Sequence, residues 1–242
     1  MDDGDMRVGR DIEERDRREL RWLGLALAVG LSLYAVVLAA LGQMPEVVRE
    51  HTAWISVPMQ VAGMAVGIGL MRGSGRGAEA FGFRWGRWKR DVWESMVMTV
   101  PWVVGCVAIK WVGTVRWPEV AGEEIWSVQE VIQWHGWTGT MAYAALYLAM
   151  IGAQKVVIHG VIQSTLRRGV GGSQGRWVAI LGSAAVFSVL HLHVSLWFAL
   201  MTVPIGVFWG WMYERQRSLV GVTVSHGLVG AAVFFVVGLG WI

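Results

Sequence analysis

The chain has 242 residues, 55% of them hydrophobic and 16% charged, with a formal net charge of +3 and a mean hydropathy of +0.47. A soluble domain of this length carries about a quarter charged residues, so these figures argue against a soluble bundle and for a polytopic membrane protein. The small net charge gives no reason to expect nucleic-acid binding. The single cysteine, Cys106, leaves neither an intrachain disulfide nor a CxxC metal or redox motif.

Residues 1–19 form a tail dominated by charge, with Asp2, Asp3, Asp5, Asp11, Glu13, Glu14, Asp16 and Glu19 interleaved with arginines. From Asp11 onward the spacing fits a solvated helix running into the first apolar run, supported by charge pairs at helical spacing, and no chemistry is assigned to it. The remainder, 20–242, reads as a single membrane domain built from seven apolar runs, near 20–42, 53–71, 92–114, 139–164, 177–193, 197–212 and 218–241. Each is long enough to cross a hydrocarbon core of ~30 Å at about 1.5 Å per residue. The predicted fold class is all-α, a polytopic bundle of about seven transmembrane helices. The fifth and sixth are separated only by Val194-Ser195-Leu196, which implies a tight hairpin. The first run is too long for a signal-peptide core and lacks a small-residue cleavage site, so it reads as the first span.

This count sorts the basic residues. Seventeen fall on one side: Arg7, Arg10, Arg15, Arg17, Arg18 and Arg21 in the tail, Arg72, Arg76, Arg84, Arg87, Lys89 and Arg90 in the second loop, then Arg167, Arg168, Arg176, Arg215 and Arg217. Only Arg49 and Arg116 fall on the other. By the positive-inside rule the N-terminus is cytoplasmic and the C-terminus outside, in what reads as a bacterial inner membrane. A juxtamembrane basic segment also attracts anionic lipid, at about 1 kcal/mol per Lys or Arg near the surface.

The Gly- and Arg-rich stretch 72–91, with Phe81, Phe83, Trp85 and Trp88, is expected to lie at the membrane interface. The stretch 115–138, where Glu119, Glu123, Glu124 and Glu130 mix with Trp117, Trp126, Trp134 and Trp137, reads as an amphipathic segment on the outer surface. Sixteen tryptophans is an unusual share. Trp22, Trp54, Trp88, Trp93, Trp117, Trp137, Trp177, Trp197 and Trp241 stand near span ends, as an interfacial belt would place them; an aromatic surface for a partner, lipid or pigment is the alternative. Small residues at Gly63-x-x-x-Gly67 and at Gly182, Ala184 and Ala185 allow close helix approach.

Ionisable groups inside a bilayer are costly, and each calls for a functional reading. The runs contain Lys110, Lys155, His159, His191 and His226, with Asp91 and Glu94 near the start of the third and Glu214 at the end of the sixth. Glu94 and Lys155 form a candidate ion pair, with Lys110 as the other possible partner of Glu94. His191 and His193 would bind one ion only if the helix has ended there, because alternate helical residues point about 200° apart; packing is the simpler role for His193. Three motifs order these groups: Gln154-Lys155-Val156-Val157-Ile158-His159, Phe187-Ser188-Val189-Leu190-His191, and His226-Gly227-Leu228-Val229-Gly230.

In layout these motifs resemble the CPBP family of intramembrane proteases, which contains the type II CAAX prenyl endopeptidases and bacteriocin-processing proteins. That family carries Glu-Glu-x-x-x-Arg, Phe-x-x-x-His and His-x-x-x-Asn/Asp on three membrane helices. Phe187, His191 and His226 match. Gln154 and Lys155 stand at the two glutamates, His159 at the arginine and Gly230 at the final amide or acid. The resemblance covers about 139–242 and includes Gly206-x-x-x-Gly210-x-x-Tyr213-x-Arg215, typical of the family. It implies, for active members, a glutamate that activates water near the two histidines, with zinc as the ion if a metal takes part. Such a site needs a carboxylate to accept a proton or acidic and imidazole ligands. An amide at 154 does not take water's proton, and a protonated Lys155 would repel a divalent cation. His191 and His226 remain as candidate metal ligands, and no residue is assigned as catalytic. Lys155, His159, His191 and His226 are expected to line one interior cavity.

Three functions stay open. The first is a catalytically degenerate scaffold or binding subunit, working with a membrane-protein partner and no cofactor. The second is an active endopeptidase with a rearranged site. The third is a subunit whose membrane histidines hold haem or a chlorophyll-type pigment.

Overall fold

The computed structural model describes residues 3–41, 53–116 and 128–233, with side chains over 12–40, 57–116, 136–142 and 144–233. Every long element among them is helical. In chain order they are α1 (Asp3–Leu41), α2 (Ala53–Ser74), a short 3-10 turn (Ala78–Phe81), α3 (Trp88–Arg116), α4 (Val128–Lys155), a π-helical segment (Val156–Gln163), α5 (Ser164–Val170), α6 (Gly172–Val189), α7 (Leu196–Gln216) and α8 (Leu219–Ala231). The seven apolar runs fall largely on this helical set, the fifth only as far as Val189 and the last only as far as the described residues go. The acidic stretch Glu119, Glu123 and Glu124 lies outside the described residues, as do the side chains of Glu130, Trp54, Trp117, Trp126, Trp134 and Trp241.

Among the described residues, four helical stretches are long and apolar enough to cross a membrane: Ile12–Ala40, Trp88–Arg116, Gly136–Val170 and Leu196–Gln216. Their outer faces carry large apolar side chains, such as Val29, Leu33 and Val36 on α1 and Val100, Val104 and Val115 on α3. In water these stripes would cost solubility; in a bilayer they are the solvated surface. The protein is an integral membrane protein with an all-helical, polytopic fold. Trp22, Trp88, Trp93, Trp137, Trp177 and Trp197 are exposed, with Trp88 and Trp197 in the first turns of their helices, where aromatic side chains meet headgroups.

The chain divides into two compact units, Met1–Phe83 with Val156–Arg215, and Arg84–Lys155 with Gln216–Ile242. The first holds α1, α2, the 3-10 turn, the π segment and α5–α7. Its helices approach through small residues. A Cβ on Gly67 of α2 would sit 3.5 Å from Val157 and Val161, and one on Gly206 of α7 would sit 3.2 Å from Ala184 of α6. Gly63, the other half of the Gly-x-x-x-Gly pair, faces nothing within 4 Å.

The charged tail differs from the solvated helix expected. It is the first part of α1, unbroken into the span, and one face of it is bound. Arg76 donates to Asp16 and, at 2.7 Å, to Glu19. Arg168 donates to the other oxygen of Glu19 at 3.0 Å and to the Ala80 carbonyl at 3.0 Å. Arg15 donates to the Ser74 carbonyl at 2.8 Å. Glu19 thus neutralises two arginines from two other segments, fixing the 72–83 stretch against α1 and α5.

The second unit holds α3, α4 and α8, with α8 packed on both of the others. A hydroxyl pair joins α8 to α3, with Thr99 donating to Ser225 at 2.7 Å, and just before α8 the Gln216 amide donates to the Asp91 carbonyl and to Ser95 of α3, each at 3.2 Å. Glycines join α8 to α4, with Gly227 against Leu148 and Gly230 against Tyr147.

Candidate functional site

The first motif ends in the π segment, whose widened turn is a frequent feature of functional sites. Six of its eight residues, Ile158 to Gln163, are buried. The i,i+4 pair His159 and Gln163 anchors a polar network in the first unit. Gln163 Nε2 donates to the Gly210 carbonyl at 2.7 Å and lies 3.4 Å from Glu214 Oε1. This orients the amide so that its oxygen accepts, and it receives Ser183 Oγ at 3.3 Å and His159 Nδ1 at 2.6 Å. His159 therefore carries its proton on Nδ1, which makes Nε2 the basic nitrogen. The ring stacks on Tyr213, centroids 5.7 Å apart, and Tyr213 is held by Ser164 at 2.7 Å. Glu214 is buried and paired with Arg167 at 3.3 Å.

His191 shares this tautomeric logic. Its Nδ1 donates to the Phe187 carbonyl at 2.7 Å, so Nε2 is again the basic nitrogen. Phe187 packs on its ring at 4.5 Å and on Trp209 at 5.4 Å, which explains the motif spacing: one helical turn sets the phenyl ring beside the imidazole. The helix stops earlier than expected, at Val189, and 190–194 form turns. The hairpin is therefore longer than Val194-Ser195-Leu196 and contains both histidines. His193 is tied to α1 there. Its backbone N–H donates to Tyr34 Oη at 2.9 Å, and Tyr34 in turn donates to the Leu190 carbonyl at 3.2 Å.

The second unit contains Glu94, Gln154, Lys155, His226 and Gly230. Lys155 is fully buried and His226 is 8% exposed. Gln154 Oε1 is enclosed and has no hydrogen-bond partner among the described residues. Glu94 forms an ion pair with Arg90, one turn before it, at 3.0 Å. Gly230 lies directly under the Tyr147 hydroxyl: a Cβ there would overlap that oxygen and sit 2.8 Å from the ring carbon bearing it. The Tyr147 side chain thus occupies the space that an amide or acid at 230 would need.

His159, Phe187 and His191 accordingly belong to one unit, and the other motif positions to the second. Among the described residues no group of three or more His, Cys, Asp or Glu side chains is placed to hold a metal. A zinc site takes four ligands, at least three from protein. The described residues do not supply such a set, and no step below is routed through a metal. Sequence reasoning did not assign roles to Gln163, Tyr34 or Tyr147. The i,i+4 spacing of His159 and Gln163 was the one available signal.

Residues 134–232 match a family model described as type II CAAX prenyl endopeptidase Rce1-like. No curated protein and no solved structure gives a match. The matched stretch contains all three motifs, from Gln154 to Gly230, with the departures described above. Over these residues the chain is similar to the Rce1-like type II CAAX prenyl endopeptidases.

Proposed function

We propose that this chain is a catalytically degenerate CPBP-family membrane protein that serves as a scaffold or binding subunit of a membrane complex. The observation that carries this reading is the buried lysine at the first motif. Lys155 is wholly enclosed where the family pattern has a glutamate, and its neighbour is an amide. An amide does not accept a proton from water as a carboxylate does, and a protonated lysine has no lone pair with which to do so. The closure of Gly230 by Tyr147 supports the same reading, because it fills the place of the last polar group. The 17-to-2 division of basic residues supports a cytoplasmic N-terminus in a bacterial inner membrane. A membrane protein is the partner expected.

The test is a cleavage assay on a prenylated CAAX peptide and an unprenylated one. It compares the native chain with a Gln154→Glu, Lys155→Glu double substitution, using His226→Ala as the blank. The native chain should not exceed the blank, and it should co-purify with a stoichiometric membrane protein in mild detergent. Losing a general base costs roughly 10²–10⁴-fold in rate. Cleavage well above the blank by the native chain would overturn the proposal.

One observation favours the second reading, an active peptidase with a rearranged site. Glu214 is a buried carboxylate linked to His159 through the Gln163 amide. His159 Nε2 would then take the proton from water, and Glu214 would steady the resulting imidazolium through that amide. On this reading the native chain cleaves, and Glu214→Gln abolishes the cleavage.

A further inference from the structure

The polar end of the first unit holds a cavity that neither the motif residues nor the Glu19 ion cluster fills. It measures about 650 Å³ and lies between α1 and the end of α2, with Ile12, Glu14, Arg15, Arg18 and Arg72 among its walls. The arginines near it divide into two groups. Arg76 and Arg168 are neutralised by Asp16 and Glu19. Arg15 is bound to the Ser74 carbonyl and lies 3.9 Å from Glu19. Arg18 and Arg72 have no carboxylate within ion-pair distance among the described residues, so the cavity lining carries three guanidinium groups and one carboxylate, Glu14, with only Arg15 also reaching Glu19. The backbone of 73–75 forms the remaining wall. Gly75 adopts a left-handed φ of 63°, which favours glycine, so this wall carries little side-chain bulk.

The cavity also has a defined position along the helices. Arg72 directly follows the apolar run of α2. Arg18 lies one turn before Trp22, where the apolar part of α1 begins. From Arg18 a stripe continues at helical spacing through Trp22, Leu25, Val29, Leu33 and Val36, all more than half exposed. A cationic cavity is thus continuous with a strip of apolar surface long enough for an acyl chain. Inorganic phosphate would use only the first of these features; a phospholipid uses both. Basic pockets between transmembrane helices are a known setting for anionic headgroups.

We propose that this cavity binds the phosphate group of an anionic phospholipid, with Arg18 and Arg72 taking its oxygens and an acyl chain lying along the Trp22–Val36 stripe. The site is independent of the protease motifs and of whether they are active.

The test uses the full chain in detergent, with binding read by native mass spectrometry and by thermal stabilisation. The probes are phosphatidylglycerol, phosphatidylcholine and inorganic phosphate. Phosphatidylglycerol should bind and stabilise at concentrations where the other two do not. Arg18→Gln and Arg72→Gln should each weaken it about fivefold and the pair roughly thirtyfold, while Arg116→Gln should leave it unchanged. Both arginines are exposed and outside the Glu19 cluster, so the single variants should fold, as circular dichroism would verify. Equal stabilisation by inorganic phosphate would overturn the lipid as the source. Binding that survives both single substitutions, or no preference over phosphatidylcholine, would overturn the site.

Discussion

The two units of this chain keep different halves of an intramembrane protease pattern. In the first, His159 and His191 each have Nδ1 fixed by an acceptor, so their Nε2 atoms are basic and their ring orientations set. Around them lie a buried glutamate, an oriented glutamine and stacked aromatic rings. In the second, His226 remains, but the first-motif acids are an amide and an enclosed lysine, and the last motif position is a glycine under a tyrosine. The first unit is thus built around a polar, pre-organised network, and the second around a packed helix interface. The groups that orient the histidines of the first unit also tie its helices together, so they serve the fold whether or not the site is active.

This comparison breaks if the polar groups of the first unit contribute nothing to stability. The largest effect should come from Glu19, which bridges Arg76 and Arg168. Glu19→Ala leaves two partly buried guanidinium groups facing each other without their shared anion. Removing one partner of a buried pair costs about 3–5 kcal/mol; with these arginines partly exposed, about 3 kcal/mol is expected. Thermal unfolding in detergent measures it, and a shift no larger than that of the exposed Glu13→Ala would remove the cluster from the account. Next comes Gln163→Leu. It strips the acceptor from His159 Nδ1 and the donor from the Gly210 carbonyl, both buried, for about 2 kcal/mol. The same variant should alter the His159 imidazole NMR signals, which a simple packing defect elsewhere would leave in place.

The second unit is tested at Gly230. Gly230→Asn restores the residue type of the family pattern but drives its side chain into Tyr147, so about 1.5 kcal/mol of overpacking is expected. In a Tyr147→Leu background the hydroxyl and outer ring are gone, and most of that cost should vanish. Additivity of the two substitutions would show that Tyr147 does not occupy the vacated space.

How much of this could be read in the sequence differs between the two units for physical reasons. Apolar runs are easy to read, and the seven fall largely on helices, but only four helices among the described residues are long and apolar enough to cross a bilayer. The approach of Phe187 to His191 follows from one-turn spacing. The π segment does not announce itself, because its six apolar or small residues, with His159 and Gln163 between and after them, fit a 3.6-residue or a wider turn equally well. The early stop of α6 at Val189 was hidden for a similar reason: hydropathy continues through 190–194 while the backbone turns, and Tyr34, far away in sequence, supplies the hydrogen bonds. The tail was read as solvated because its charges alternate, but alternation cannot reveal that Glu19 meets two distant arginines. Tyr147 over Gly230 is a tertiary contact with no local trace at all.

The smallest effect, and the sharpest check on the contrast, belongs to the α3–α8 interface. Thr99 donates to Ser225 at 2.7 Å and Ser95 is completely buried beside Gln216. A hydroxyl pair between membrane helices contributes about 0.6 kcal/mol on average, because the separated helices find other partners for the same groups. Thr99→Val keeps the branched shape and removes only the hydroxyl, so it should cost about 0.6 kcal/mol. Thr99→Val with Ser225→Ala should cost little more than either alone, since the two groups satisfy one another. If the unit is held mainly by the fit of Gly227 and Gly230 against α4, these losses stay small beside that of Gly230→Asn. A Thr99→Val loss above 2 kcal/mol would instead make the second unit polar in its energetics like the first, and the division between an oriented network and a packed interface would fail.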